Sequence, residues 1–335
     1  MQTIVGHMEA RRRLARAVAS GQVSHAYLFT GPESIGKTAL ALDFARLLEC
    51  ERPDLTTGDP CGECSSCRTI AHSNHPDVTL VEAAEGKRLL GVDTVREVAH
   101  LANLTPSAGR WRIFIIPAAE AMTPNTVNAL LKTLEEPPPG VVLMLTSAEP
   151  ETLLPTLISR CQSVPLQPLS AAEVTRALIE RWGMDATAAH ELAVLANGRI
   201  GWAVRAMEHP EMREERRQQL AQMLTLTAAS RDERIRAAAA LAADGDTARR
   251  ALELWTLWWR DVTLAACGAT HLTSEGAPRA EAERQGRALG PQRAEAFLRA
   301  LLAAKVALDT NANPRLTFEV LLLDLPHLAA APGRR

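Results

Sequence analysis

The sequence predicts an α/β core, a parallel sheet with helices on both faces built around a phosphate-binding loop. A small three-helix domain and an all-helical C-terminal domain are expected to follow it. Three observations carry this reading. Residues 31–38, Gly-Pro-Glu-Ser-Ile-Gly-Lys-Thr, form a complete phosphate-binding loop between a strand-like run and a helix-like run. Strand and helix patterns alternate through residues 1–165, the order expected of a parallel sheet with crossover helices. After Pro165 the strand-like runs cease and every periodic segment reads as helix. The expected boundaries are 1–165 for the core, 166–208 for the small helical domain and 209–335 for the C-terminal domain.

Ala26-Tyr27-Leu28-Phe29-Thr30 is an apolar run of strand length directly before the loop, and Leu40, Phe44, Leu47 and Leu48 recur at helical spacing after it. Further strands are expected at 78–81, 112–116, 141–145 and 163–165, with helices near 93–103, 123–135 and 151–159. The helix at 123 is well marked. Thr123 can cap it, Pro124 suits its first position, Val127, Leu130, Leu131 and Leu134 form its stripe, and Pro137-Pro138-Pro139 stops it.

Beyond the core, Ser170-x-x-Glu173 is a capping box opening a helix to about Trp182. A second helix runs from near Asp185 to Asn197, ended by Gly198, and a third covers 201–207 and breaks at His209-Pro210. Ser230-x-x-Glu233 is another capping box, and 268–287 reads as a polar linker with Gly and Pro. Trp255, Trp258 and Trp259 stand at i, i+3 and i+4 and share one face. That face either packs a core or buries against a neighbouring helix bundle.

Composition bounds the function. At 335 residues, with 47% hydrophobic and 23% charged residues, the chain has ample length for a large core. It contains no apolar run long enough to span a membrane, and Met1 to His7 lacks the basic-then-apolar layout of a secretion signal. A cytoplasmic location is expected. The net charge of −2 argues against tight polyanion binding by the chain alone.

The loop has the chemistry that phosphate binding needs. Its glycines let backbone N–H groups converge on phosphate oxygens, Lys37 supplies a point charge, and the Thr38 hydroxyl can reach a magnesium ion. The candidate nucleotide residues are Gly31, Ser34, Ile35, Gly36, Lys37 and Thr38. A strand–turn–helix in which Gly36 only caps is the alternative, and a chance match in a chain of this length has odds of roughly 1%. The strand that should end in catalytic carboxylates reads Ile115-Ile116-Pro117-Ala118. A cradle without that acidic pair suggests an ATPase relative that has given up hydrolysis.

Four of six cysteines, Cys50, Cys61, Cys64 and Cys67, crowd into eighteen residues, and Cys61-Gly-Glu-Cys64-Ser-Ser-Cys67 is two C-x2-C steps sharing one residue. Such spacing lets successive sulfurs face a common centre, with Gly62 relieving the backbone. Four thiolates make a closed tetrahedral structural zinc site, an inserted module over 50–67. Disulfides suit a cytoplasmic chain poorly, and a redox pair remains an alternative. His72 or His75 could replace Cys50 as fourth ligand, although surface positions are expected for both. Cys161 and Cys267 read as buried small apolar side chains.

His25-Ala26-Tyr27-Leu28-Phe29 leading into the loop, the cysteine module, Asn128-Ala-Leu-Leu-Lys-Thr-Leu-Glu-Glu-Pro-Pro138 and Ser159-Arg160-Cys161 resemble the bacterial DNA polymerase III clamp loader, an AAA+ family. Trp259-Arg260-Asp261 and Asn311-Ala-Asn313 with Leu316 and Phe318 are similar to its collar. The resemblance covers nearly the whole chain. It implies an AAA+ core, a three-helix lid and a C-terminal collar. Motor subunits of that family, gamma and tau, carry an Asp-Glu pair where Pro117-Ala118 stands here, and a sensor arginine where Gly201 stands. Arg199 is offset by two positions and is not credited as its substitute.

Losing both features looks like the non-hydrolysing delta-prime type of subunit. The resemblance then implies no ATPase activity from the chain alone, with ATP or ADP held unhydrolysed if it binds. Arg160 would act in trans on the nucleotide of a neighbouring motor subunit. Thr146 matches the first sensor position. Implied partners are the gamma/tau and delta subunits, primer–template DNA within an assembled ring, and the sliding clamp indirectly. Helix N-termini such as the one at Thr123 can meet DNA phosphates without a basic patch. An active gamma/tau-type ATPase and a stand-alone zinc- and nucleotide-binding repair factor are the alternatives. Positions 117, 118 and 201 weigh against the first, and the 128–138 and 159–161 motifs against the second.

Overall fold

The computed structural model describes residues 4–81, 90–273, 278–309 and 312–328. By their contacts they divide into two compact units, one of residues 1–189 with 198–204, the other of 190–197 with 205–335. In the first unit five parallel strands stand in the order β2-β3-β4-β1-β5. They are β1 (Ala26–Thr30), β2 (Val78–Leu80), β3 (Arg112–Ile116), β4 (Val141–Ser147) and β5 (Gln162–Pro165). This is the expected fold class, a parallel sheet flanked by helices and followed by helices alone.

The period-2 alternation of strand side chains makes two cores. Tyr27, Phe29, Ile113, Ile115, Val142 and Met144 pack on one face with Leu40 and Phe44, from α2 (Lys37–Glu49). On the other face Ala26, Leu28, Phe114, Ile116, Leu143 and Leu145 meet Val95 and Val98, together with Val127 and Leu130. Those partners belong to α4 (Val92–Ala102) and α5 (Pro124–Glu135). Both faces are covered, so the strands read as continuous apolar runs. The chain leaves β1 for the far edge at β2, and in open parallel sheets such a change of direction marks the crevice, at the carboxyl ends of the strands, where ligands bind.

Two helices of this unit lie outside the sequence-based expectation, α1 (Met8–Ala19) and α3 (Ser65–Ala71), the latter beginning inside the cysteine module. The helix expected over 151–159 is instead a 3-10 turn at 150–152 and a four-residue α6 (Pro155–Ile158). Pro150 and Pro155 each open a new turn, and Leu154 is held extended (ψ 132), as the residue before a proline prefers. His75, expected on the surface, is buried, and its Nδ1 accepts the Asp77 amide at 3.2 Å. Cys161 is only partly covered and Cys267 is exposed at the end of its helix, against the expectation for both.

Helices α7 (Ala171–Trp182), α8 (Ala186–Ala196) and α9 (Ile200–Glu208) follow β5. The capping box at Ser170 forms as the sequence predicts. The second unit is helical, with α10 (Pro210–Ala228), α11 (Arg231–Leu241), α12 (Gly245–Ala266), α13 (Pro278–Asp309) and α14 (Pro314–Asp324). Trp255, Trp258 and Trp259 are all core residues. Trp255 sits edge-on to Phe318 and Trp259 to Phe297, pairs that each add about 0.5–1.5 kcal/mol beyond area burial.

The linker expected over 268–287 is overturned in its second half, where α13 begins at Pro278. Within 278–287 it buries the small Ala282 and the polar Gln285, a weakly apolar side, and Gln285 accepts the Trp258 indole N–H at 3.1 Å. Gly290 (φ 72) before Pro291 kinks the helix. Asn313 caps α14 through the amides of Arg315 and Leu316, while Asn311 lies outside the described residues.

Candidate functional site

The loop leaves β1 and enters α2 through two glycines in conformations closed to other residues. Gly31 has φ 140, and a Cβ there would stand 2.5 Å from the Leu166 carbonyl oxygen; Gly36, at φ 109, is the N-cap of α2. Ser34 is left-handed as well (φ 59), a conformation that costs a non-glycine residue about 1 kcal/mol or more. Three partners distant in sequence hold it. The Gly31 amide donates to the Ser147 carbonyl at 3.2 Å, the Gly201 amide donates to the Ser34 carbonyl at 2.8 Å, and His7 Nε2 lies 3.0 Å from the Ile35 carbonyl.

Lys37 folds back onto its own loop, its Nζ donating to the carbonyls of Gly31 at 2.7 Å and Pro32 at 2.9 Å. Burial lowers its pKa, opposed by the charges of Glu120 and Glu33 and aided by Arg199. Burial likewise keeps His7 below the usual imidazole value. A protonated lysine enclosed by loop carbonyls, beside the free end of a helix, is suited to receive a polyphosphate.

At the end of β3 the turn through Pro117 and Ala118 carries no ionisable group. Ala118 is left-handed (φ 50), and its amide donates to the Thr146 hydroxyl at 3.1 Å. Thr146 is buried and is spent on holding this turn. Two residues on, Glu120 reaches over the end of β4, where its Oε1 accepts the Ala148 amide at 2.9 Å. At Gly201 a Cβ would stand 2.9 Å from the Ser34 carbonyl oxygen, so a larger side chain requires the loop to shift.

Arg160 follows α6 and is partly exposed. Its Nη2 donates to Glu135 Oε1 at 2.6 Å and its Nη1 to the Thr156 carbonyl at 2.9 Å. Glu135 ends α5, within the Asn128–Pro138 motif, so two motifs read separately in the sequence meet at this ion pair.

The sulfurs of Cys50, Cys61, Cys64 and Cys67 all lie within 4.8 Å of one another. Tetrahedral zinc with sulfur at 2.3 Å asks for separations of about 3.8 Å, so the donor set fits a metal ion. Cys50 caps α2, Cys64 caps α3, and the Cys61, Cys64 and Cys67 amides donate to the sulfurs of Cys50, Cys61 and Cys64 respectively. Amide donation from Cys64 and Glu63 brings the Cys61 thiol down to about 6. Neither His72 nor His75 belongs to the cluster.

Sequence reasoning missed His7, Glu120 and Glu135. None has a partner at motif spacing, and His7 and Ile35, 28 positions apart, meet only in three dimensions.

Residues 6–170 match a family model described as "DNA polymerase III, delta subunit". DNA polymerase III subunit delta' of Pseudomonas aeruginosa is 42% identical over 182 residues, covering 53% of this chain and 54% of that one. DNA polymerase III subunit tau of Bacillus subtilis is 37% identical over 161 residues, 48% of this chain and 28% of that one. The chain thus spans about half the length, or less, of these curated relatives. A solved gamma subunit-related protein of Thermotoga maritima is 20% identical, covering 95% of this chain and 98% of that one, with a TM-score of 0.43.

Proposed function

We propose that the chain, whose residues 6–170 match the DNA polymerase III delta subunit model and are similar to the delta' and tau relatives, works as a non-hydrolysing, delta-prime type subunit of a clamp loader. The observation that carries this reading is the end of β3, where Pro117 and a left-handed Ala118 stand in place of two carboxylates. Phosphoryl transfer in loop ATPases needs a strand-end acid for magnesium and a polar group to orient water. Neither side chain can serve.

In this reading Gly31, Ser34, Ile35, Gly36, Lys37 and Thr38 hold ATP or ADP without cleaving it. Bound nucleotide would bring the polyphosphate charge that Lys37 and the α2 N-terminus receive. Cys50, Cys61, Cys64 and Cys67 hold a structural zinc ion, whose chemistry is to cross-link the end of α2 to the segment that follows. The core spans 1–165, the lid 166–208 and a collar for oligomerisation 209–335, in a cytoplasmic protein. Partners are gamma/tau and delta subunits, with primer–template DNA inside the ring and the sliding clamp met indirectly. Among the described residues no helix is long and apolar enough to cross a membrane.

Arg160 is the residue that reaches a neighbour's active site. An arginine supplied in trans to a transferring phosphoryl group contributes about 10³–10⁵ in rate. The pair with Glu135 would hold the guanidinium ready at the surface. The test measures ATP turnover by the purified chain and by a ring reconstituted with gamma/tau and delta. No turnover by the chain alone and a ring rate cut at least about 100-fold by Arg160→Ala are expected. Turnover by the chain alone would favour a gamma/tau-type motor, and an unchanged ring rate would remove the trans role.

A further inference from the structure

Glu120 is the one carboxylate delivered to the loop's side of the crevice by the turn that lost the acidic pair. The sheet order puts β4 between β3 and β1, so a group reaching from the end of β3 over β4 moves toward the loop. A single peptide group makes the connection. The Ser147 carbonyl accepts the Gly31 amide, and the adjoining Ala148 amide donates to Glu120 Oε1. The other carboxylate oxygen, Oε2, is buried and has no hydrogen-bond partner among the described residues.

A buried, unsatisfied carboxylate oxygen is costly unless a cation or donor meets it. Lys37 is close enough to feel the Glu120 charge, yet its ammonium is spent on the Gly31 and Pro32 carbonyls. Glu120 therefore stands beside the loop, one peptide group from the Gly31 amide, with one carboxylate oxygen left for a cation or donor. An anionic carboxylate there repels bare phosphate and attracts a phosphate that carries a divalent cation.

Resting on the reading that the loop holds nucleotide, we infer that Glu120 makes nucleotide binding at Gly31–Thr38 dependent on a divalent cation. It takes over, for binding only, the electrostatic part that strand-end carboxylates play in hydrolysing relatives. Positioned two residues beyond Ala118 and anchored on β4, it serves the ion without supplying a group to orient water.

The experiment measures ADP and ATP affinity of the full chain by calorimetry, with magnesium and with a chelator, for the wild type and Glu120→Gln. Magnesium should tighten wild-type binding by about tenfold or more. In Glu120→Gln metal-free binding should strengthen, magnesium-supported binding should weaken, and the ratio should collapse toward one. Glutamine keeps an oxygen for the Ala148 amide, and matched melting curves establish that it folds alike. Glu120→Ala should collapse the ratio equally. A ratio that changes in Glu120→Ala alone, or in neither variant, overturns the role of Glu120. No nucleotide bound by the wild type under either condition would sink the nucleotide cradle itself, and the inference with it.

Discussion

The cysteine module and the phosphate loop are both short motifs, and they are completed in opposite ways. Four sulfurs within 4.8 Å of one another come from a stretch of eighteen residues, three of them accepting amides of the same stretch. The loop, eight residues long, is shaped by His7 before it and by Ser147, Leu166 and Gly201 far behind it. Local closure makes the cysteine module a unit that can form or be lost by itself. Remote closure makes the loop's geometry a property of the whole first unit, so a change more than a hundred residues away can alter it.

The largest expected effect tests the local half of this contrast. Replacing Cys67, whose side chain is fully buried, by serine should abolish stoichiometric zinc in metal analysis. Structural zinc contributes folding free energy directly, so loss of at least about 3–5 kcal/mol is expected, a fall in Tm of roughly 10 °C. ADP binding at the loop should survive, because the module is joined to α2 at Cys50, its far end. A metal-free wild type, or one whose Tm is indifferent to chelation, would remove the zinc reading. Loss of ADP binding together with zinc would break the claim of independence.

The same contrast explains what could be read in the sequence. The strands, the loop and the four cysteines were legible because short apolar runs, glycine spacing and C-x2-C steps are local signals. The start of α13 was not, because its buried residues there are a small alanine, Ala282, and a polar Gln285, too little apolar signal to mark a helix face. Nor was the break at 151–159, where two prolines divide an apparently helical stretch. At the site, Pro117-Ala118 was legible as an absence. Glu120 was not, since its meaning depends on β4 lying beside β3 and on one peptide of β4 touching the loop. Arg160 was found by motif, but its partner Glu135 lies 25 residues away.

Asp77 extends the remote mode of closure to stability and gives an intermediate effect. It is buried, and its two oxygens accept the amides of Ser107, Ala108 and Gly109 at 2.7–2.8 Å and Arg112 Nη2 at 3.1 Å. Burial raises its pKa, but these donors outweigh it and the net shift is downward. A carboxylate depressed on folding stabilises above its unfolded value, about 3.9, and that contribution is lost as pH falls through the lower folded value. Asp77→Asn should cost about 3 kcal/mol near pH 7. In denaturant titrations the deficit should shrink below pH 4, in the range where the wild type itself protonates. A pH-independent deficit would show that packing, not charge, is what Asp77 contributes.

The smallest effect on stability isolates remote closure of the loop. Gly201 stands in the first turn of α9, and its amide, which has no partner within the helix, is taken by the Ser34 carbonyl at 2.8 Å. A Cβ at 201 would stand 2.9 Å from that same oxygen, so Gly201→Ala must push the loop or break the bond. Alanine also gains up to about 1 kcal/mol in helix propensity over glycine, which offsets part of the strain. Net stability should therefore fall by no more than about 2 kcal/mol, while ADP affinity falls by roughly tenfold as Ser34 leaves its left-handed conformation. Gly245 supplies the control. It opens α12 with nothing within 4 Å of an added Cβ, so Gly245→Ala should stabilise slightly and leave ADP binding alone. If Gly201→Ala melts and binds like Gly245→Ala, the loop does not depend on its remote partner, and the contrast with the cysteine module disappears.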